Sequence, residues 1–145
     1  MLALAPPVSK CVMIGDKRKF NVMLISLKQE GASGENAGNG KLVGPALELS
    51  PKSTTTQQAM DDPVWVEYLS KILDQVNKDG SVVTSHAYRV EKFMILPFDF
   101  SQDGGELTAT MKLKRSYVDE KYKKVIDAMY AESATGKYVK YVVSE

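Results

Sequence analysis

The chain has 145 residues, 43% of them hydrophobic and 26% charged, and a formal net charge of +1. That suits one soluble domain with its own core and leaves no global field to recruit nucleic acid, so any basic patch has to be local. A single cysteine, Cys11, excludes an intrachain disulfide and a multi-cysteine zinc site, and no stretch reaches the roughly 18 apolar residues of a membrane-spanning helix.

Residues 1–7 lack a cationic start and break their apolar run at Pro6, so no secretory signal is expected. The expected setting is an intracellular, reducing compartment. Residues 8–14 read as a strand buried on both faces, with Cys11, Val12, Met13 and Ile14 in succession. Gly15 and Asp16 suit a turn that also carries Lys17, Arg18 and Lys19. Those three cations fit either a solvated, edge-protecting turn or a ligand contact. Residues 20–27 form a second apolar strand, and the pair reads as a hairpin.

Residues 28–53 are rich in small and polar side chains and hold Gly31, Gly34, Gly38, Gly40 and Gly44. Too little is apolar to offset the ordering entropy, so about 29–53 is expected as a flexible insertion. The five glycines form neither a dinucleotide fingerprint nor a phosphate-cradling loop after a strand. Asp61, Asp62 and Pro63 announce a helix, whose stripe is Trp65, Leu69, Ile72, Leu73 and Val76 and whose stop is Gly80. Trp65 on that stripe reads as core packing more than as a stacking platform. A second helix is expected over about 81–92, with Val83, Ala87 and Val90 on one face. It holds His86, the only histidine, with no paired nucleophile motif beside it.

Residues 93–96 read as a third buried strand ended by Pro97. After a turn-rich loop, Ser116 is expected to cap a helix with Asp119 as its capping-box partner. Val118, Tyr122, Val125, Ile126 and Met129 give that helix an apolar stripe to about Ala131. Trp65, Leu69, Ile72, Phe93, Ile95, Tyr122 and Ile126 are expected to fill one core. The tail after Gly136 alternates weakly, so it either adds an edge strand or hangs free. Its ending, Val143-Ser144-Glu145, matches neither a peroxisomal nor a prenylation signal. The fold class is α+β, a small sheet of about three strands packed by helices.

The chemistry concentrates in one stretch. Gly104, Gly105 and Thr108 make a small-residue loop, which then delivers Lys112, Lys114 and Arg115 at the mouth of a helix. From Met111 to Lys124 there are six basic and two acidic residues, a local excess of four positive charges. Such cations suit a phosphate or carboxylate and stabilise developing charge without covalent chemistry. No paired carboxylates, metal cluster or activated nucleophile accompany them. The loop is therefore half a site and needs a partner to hold the substrate.

The string Gly105-Glu106-Leu107-Thr108-x-Thr110-x-Lys112-x-Lys114-Arg115, with Lys121-Tyr122 after it, resembles the C-terminal signature of long-chain acyl-CoA synthetases, most closely the bubblegum-type branch of that AMP-forming ligase family. Ile14-Gly15-Asp16-Lys17-Arg18-Lys19-Phe20 is similar to the family as well. The resemblance implies the C-terminal lid of an adenylate-forming enzyme over residues 8–132, with 133–145 as a tail. Such a lid rotates over a large N-terminal domain that binds ATP and fatty acid. In one orientation it inserts a lysine that helps form the acyl-adenylate. In the other it helps build the site where CoA attacks.

By that resemblance the catalytic lysine is Lys112, with Lys114 as the alternative register. Gly104, Gly105, Thr108, Arg115, Lys17 and Arg18 are candidate substrate or phosphate contacts. ATP with Mg and CoA are substrates of the complete enzyme, and no metal or cofactor is expected on this chain alone. The implied partner is the large adenylation domain, whose own motifs are not in the sequence. The chain is therefore expected to be a fragment, a truncated gene model or one half of a split enzyme, inactive alone, with a parent that is cytoplasmic or peripheral on an organelle membrane. Ala109 stands where the family has a proline. A lid-derived interaction domain and a basic nucleic-acid-binding module stay open beside this reading. The small net charge and the lack of aromatics interleaved with the basic residues weigh against the second.

Overall fold

The computed structural model describes residues 5–15, 20–78, 90–131 and 136–141. Strands β1 (Val8–Ile14) and β2 (Asn21–Leu27) pair antiparallel, as two apolar runs joined by a polar turn suggest. All seven residues of β2 are buried. A strand covered on both faces needs no polar alternation, which is why it reads as a nearly continuous apolar run. A parallel neighbour for β2 needs a long crossover. The chain supplies one with α1 (Pro45–Leu49), α2 (Thr56–Met60) and α3 (Pro63–Lys78). Strand β3 (Val90–Ile95) then pairs parallel with β2, giving the order β1-β2-β3.

Helix α3 starts where its sequence predicts. Asp62 Oδ1 accepts a bond from the Val64 amide at 2.9 Å, and Pro63 occupies the first turn. Asp62 Oδ2 accepts from the hydroxyls of Ser50 at 2.6 Å and Ser53 at 2.7 Å, which hold its carboxyl below the usual aspartate range. Trp65, Leu69, Ile72, Leu73 and Val76 are all buried.

The sheet divides the expected single core in two. Successive residues of a strand point to opposite faces. Met23, Ile25, Phe93 and Ile95 pack with Trp65, Leu69, Ile72 and Leu73 on the α3 side. Val22, Leu24, Met94 and Leu96 pack with Phe100, Leu107, Val118, Ile126 and Met129 on the other. That second layer is covered by α4 (Arg115–Lys121) and α5 (Lys123–Met129). Tyr122 and Ile126 therefore belong to a different cluster from Trp65 and Phe93. The result is a three-layer α+β unit with the sheet in the middle.

Four segments differ from expectation or resolve an alternative. The last helix is not one run capped by Ser116. Helix α4 begins at Arg115 with Lys114 as its N-cap and no side-chain cap bond. Tyr122 (φ −101°, ψ 14°) then separates α4 from α5, with its hydroxyl pulled onto Glu106. The backbone bonds Tyr122–Val118 and Ile126–Tyr122 continue across it, so the apolar stripe survives. Residues 90–92 of the expected second helix belong to β3. Val90 pairs with Asn21, and its amide and carbonyl are both held by the Asn77 side chain. Residues 81–89 of that expectation, with His86, and Gly80, the expected stop of α3, lie outside the described residues.

The 29–53 stretch carries α1 and isolated bridges from Gln29 to Leu42 and from Lys41 to Thr55, and it seats Leu42 and Ala46 in the α3-side core. The tail joins the outer edge of β3. The Phe93 amide donates to Lys137 O and the Val139 amide to Phe93 O, each at 3.0 Å, and the Tyr138 ring packs tilted against Phe93 with centroids 5.2 Å apart. Among the described residues no helix is long and apolar enough to cross a membrane.

Candidate functional site

The cation-bearing stretch is a tight hairpin. Leu107 and Leu113 bridge antiparallel, and the Thr108 amide donates to Lys112 O at 2.8 Å. Thr108 O accepts the Met111 amide at 2.9 Å, which closes a turn over Ala109 and Thr110. Ala109 is the second residue of that turn, the place a proline suits. Met111 follows with φ 64°, the left-handed conformation that usually ends a three-residue hairpin loop on glycine. A methionine there carries a backbone cost of about 1–2 kcal/mol, which the surrounding bonds offset. The Thr108 hydroxyl adds one of them, accepting the Lys112 amide at 3.1 Å.

This geometry presents Lys112 just past the turn, with its side chain exposed. Lys114 is exposed too, but its amide donates to Glu106 O at 2.7 Å and it serves as the N-cap of α4. Arg115 donates from its guanidinium to Met13 O, so it fastens the start of α4 to β1. It also lines a groove with Ile14, Gly15, Asp119 and Lys123. Lys17 and Arg18 lie outside the described residues.

Gly104 and Gly105 have internal reasons to be glycine. Gly105 has φ 87°, and a Cβ on it would stand 2.6 Å from the Tyr117 ring. A Cβ on Gly104 would stand 2.2 Å from Glu106 Oε1. Both approaches are closer than carbon tolerates, so the two glycines let the loop fold down over Glu106 and α4.

Glu106 is the residue that sequence reasoning passes over. Its side chain is 2% exposed. Oε1 accepts the Ser101 amide at 3.0 Å, and Oε2 accepts Lys121 Nζ at 2.7 Å and the Tyr122 hydroxyl at 2.9 Å. Lys121 Nζ also donates to Gly104 O at 3.0 Å. The signal available in the sequence is an acid between Gly105 and Leu107, an unusual setting for a solvated carboxylate. Among the described residues no group of three or more His, Cys, Asp or Glu stands together to hold a metal ion.

Residues 1–134 match the family model described as AMP-binding enzyme C-terminal domain. The chain belongs to that family. It is similar to the long-chain-fatty-acid–CoA ligase ACSBG2 of Gallus gallus, 34% identical over 90% of this chain and 17% of the relative. The ACSBG2 of Homo sapiens is 38% identical over 86% of this chain and 19% of its own length. The ligase FadD15 of Mycobacterium tuberculosis is 35% identical over the same two shares. The chain thus spans about a fifth (17–19%) of the length of these curated relatives. No solved structure matches it significantly.

In this AMP-binding enzyme C-terminal domain the Glu106 carboxylate sits beside the cations of the hairpin and of α4. Burial pushes the Glu106 carboxyl up, but Lys121, the Ser101 amide and Tyr122 outweigh it and leave the group below its ordinary 4.5. Burial first, and then the Glu106 charge, push the Tyr122 hydroxyl strongly up. A depressed folded-state carboxyl adds stability that is full above its unfolded value and is lost as pH falls through the folded value. Glu106→Gln should therefore lower the unfolding free energy by about 1–3 kcal/mol at pH 7. The gap to wild type should close as pH drops below 4.5, read from urea midpoints at stepped pH. A gap independent of pH would show that the charge contributes nothing.

Proposed function

We propose that this chain is the closing lid of an AMP-forming long-chain fatty acid–CoA ligase, and that Lys112 is the cation it inserts. The observation that carries the reading is the Lys112 hairpin, an exposed lysine on a turn clamped at both legs. Family membership and the relatives' names support it. An exposed ammonium on a fixed loop meets a substrate only if a second surface brings that substrate to it. The short coverage of the relatives leaves room for that surface, a large N-terminal domain holding ATP with its Mg and the fatty acid.

When the lid closes, the Lys112 ammonium would approach the fatty carboxylate and the α-phosphate oxygens and offset the charge that builds as they are driven together. Lys114 is the alternative register, but its amide is committed to Glu106 and its position to the helix cap. Thr108 shapes the turn and Arg115 ties α4 to β1, so both would support the loop from within. Gly104 and Gly105 would contribute by letting the loop lie close to α4. After the lid turns, the same surface would line the site where CoA attacks the adenylate.

The test joins the whole chain to the N-terminal portion of the human ACSBG2 relative, in place of that relative's own C-terminal domain. The chimera should form acyl-CoA from fatty acid, ATP and CoA, while the N-terminal portion alone and this chain alone should not. A chimera no more active than the N-terminal portion alone overturns the reading.

A further inference from the structure

Glu106 is bonded to the loop before the lysine hairpin, to its second leg and to the end of α4. Its carboxylate oxygens reach the amide of Ser101, the ammonium of Lys121 and the hydroxyl of Tyr122. Its backbone carbonyl accepts the Lys114 amide, and its own amide donates to Ser101 O at 3.1 Å. Lys121 is the last residue of α4, and Tyr122 is the joint between α4 and α5. One buried residue therefore joins both ends of α4 to the two legs of the hairpin.

We propose that Glu106 is a positioning residue for the lid lysine, its carboxylate setting the angle between the Lys112 hairpin and α4 through Lys121 and Tyr122. This rests on the lid reading above. The side chain is buried, so it acts through Lys112 and not on a substrate. The charge matters because Lys121 Nζ spans two acceptors, Glu106 Oε2 and Gly104 O, across the gap from helix to loop. A glutamine amide at 106 offers one oxygen where the carboxylate offers two, and its nitrogen repels the ammonium. Lys121, with 37% of its side chain exposed, then turns to water and the far clamp opens. The Lys114–Glu106 backbone bond remains, so the hairpin stays folded but is free to tilt. A displacement near 1 Å at a reacting group is enough to slow chemistry.

The test measures two half-reactions in the chimera, adenylate formation and thiolation from preformed adenylate, and takes their ratio. A loss of folded enzyme lowers both rates equally and leaves the ratio unchanged. Glu106→Gln and Lys121→Met should each lower the ratio by about tenfold, and the pair together no further, because they break one unit. Lys121→Arg, which keeps the charge, should hold the ratio to within about twofold. Tyr122→Phe, which removes one bond and keeps the ring, should lower it by about threefold and serves if Glu106→Gln does not fold. Equal losses in both half-reactions for all of these variants overturn the inference. Lys112→Ala in the same chimera separates the two ideas. If it lowers the ratio and the Glu106 variants do not, the positioning role alone fails. If it leaves the ratio unchanged, Lys112 is not the inserted cation, and this inference, which acts through Lys112, falls with it.

Discussion

Replacing Phe93 by alanine should cost the chain about 3–5 kcal/mol of unfolding free energy. Phe93, on β3, is fully buried in the α3-side core, with the Tyr138 ring packed tilted against it. Its backbone amide and carbonyl also fasten the tail, so the strand has little freedom to collapse into the void. Ile126→Ala, in the cluster on the opposite face of the sheet, should cost about 2–5 kcal/mol. The milder pair Ile95→Val and Ile126→Val tests the division into two cores. Each should cost about 0.5–1.5 kcal/mol, and the two should add within about 0.5 kcal/mol because the sheet separates them. Urea unfolding of the full chain gives all of these values. Coupling above about 1 kcal/mol between residues 95 and 126 would mean that the faces share one core after all.

Most of the fold follows from local chemistry. The apolar runs of β1 and β2, and the cap, proline and stripe of α3, are written within a few residues of where they act. What the sequence does not show is which way each strand faces. A strand apolar at nearly every position gives no alternation to assign, so Phe93 and Ile126 look like members of one core. The start of β3 was equally hidden. Val90 fits a helical face with Val83 and Ala87, and only the Asn77 side chain and the pairing to Asn21 make it a strand residue. The break at Tyr122 coincides with a bond from its hydroxyl to Glu106, sixteen positions away, which no window of helical spacing contains.

The site was legible in part. Composition and spacing mark the cations at 112, 114 and 115, and the hairpin around them is a local product of Thr108, Ala109 and Met111. Glu106 was not marked, because a carboxylate shows its importance only through what folds onto it. The glycines at 104 and 105 look alike in sequence whether they leave room for a phosphate or for a neighbouring side chain. The structure places Glu106 against one and Tyr117 against the other.

Lys112→Ala should slow acyl-adenylate formation by about 10²–10³-fold in the chimera and leave thiolation from preformed adenylate much less affected. On the proposed lid reading the asymmetry comes from timing. The ammonium would be useful while a carboxylate and a phosphate, both anionic, are pushed together in a partly dry site, where one fitted charge is worth far more than on a surface. Once the adenylate existed, that repulsion would be gone and the lid would have turned. Lys112→Arg should not restore the rate, because a planar fork cannot take the place of a compact ammonium at a fitted point. Lys114→Ala tests the register. Lys114 is placed by the hydrogen bond its backbone N–H donates to Glu106 O, which the substitution keeps, so the loop should hold its shape. The expected result is a small effect on both half-reactions. If Lys114→Ala abolishes adenylation and Lys112→Ala does not, the catalytic register is Lys114, and the residue that caps α4 is also the one that meets the substrate. If neither substitution changes adenylation, the hairpin is a solvated turn that plays no part in the chemistry.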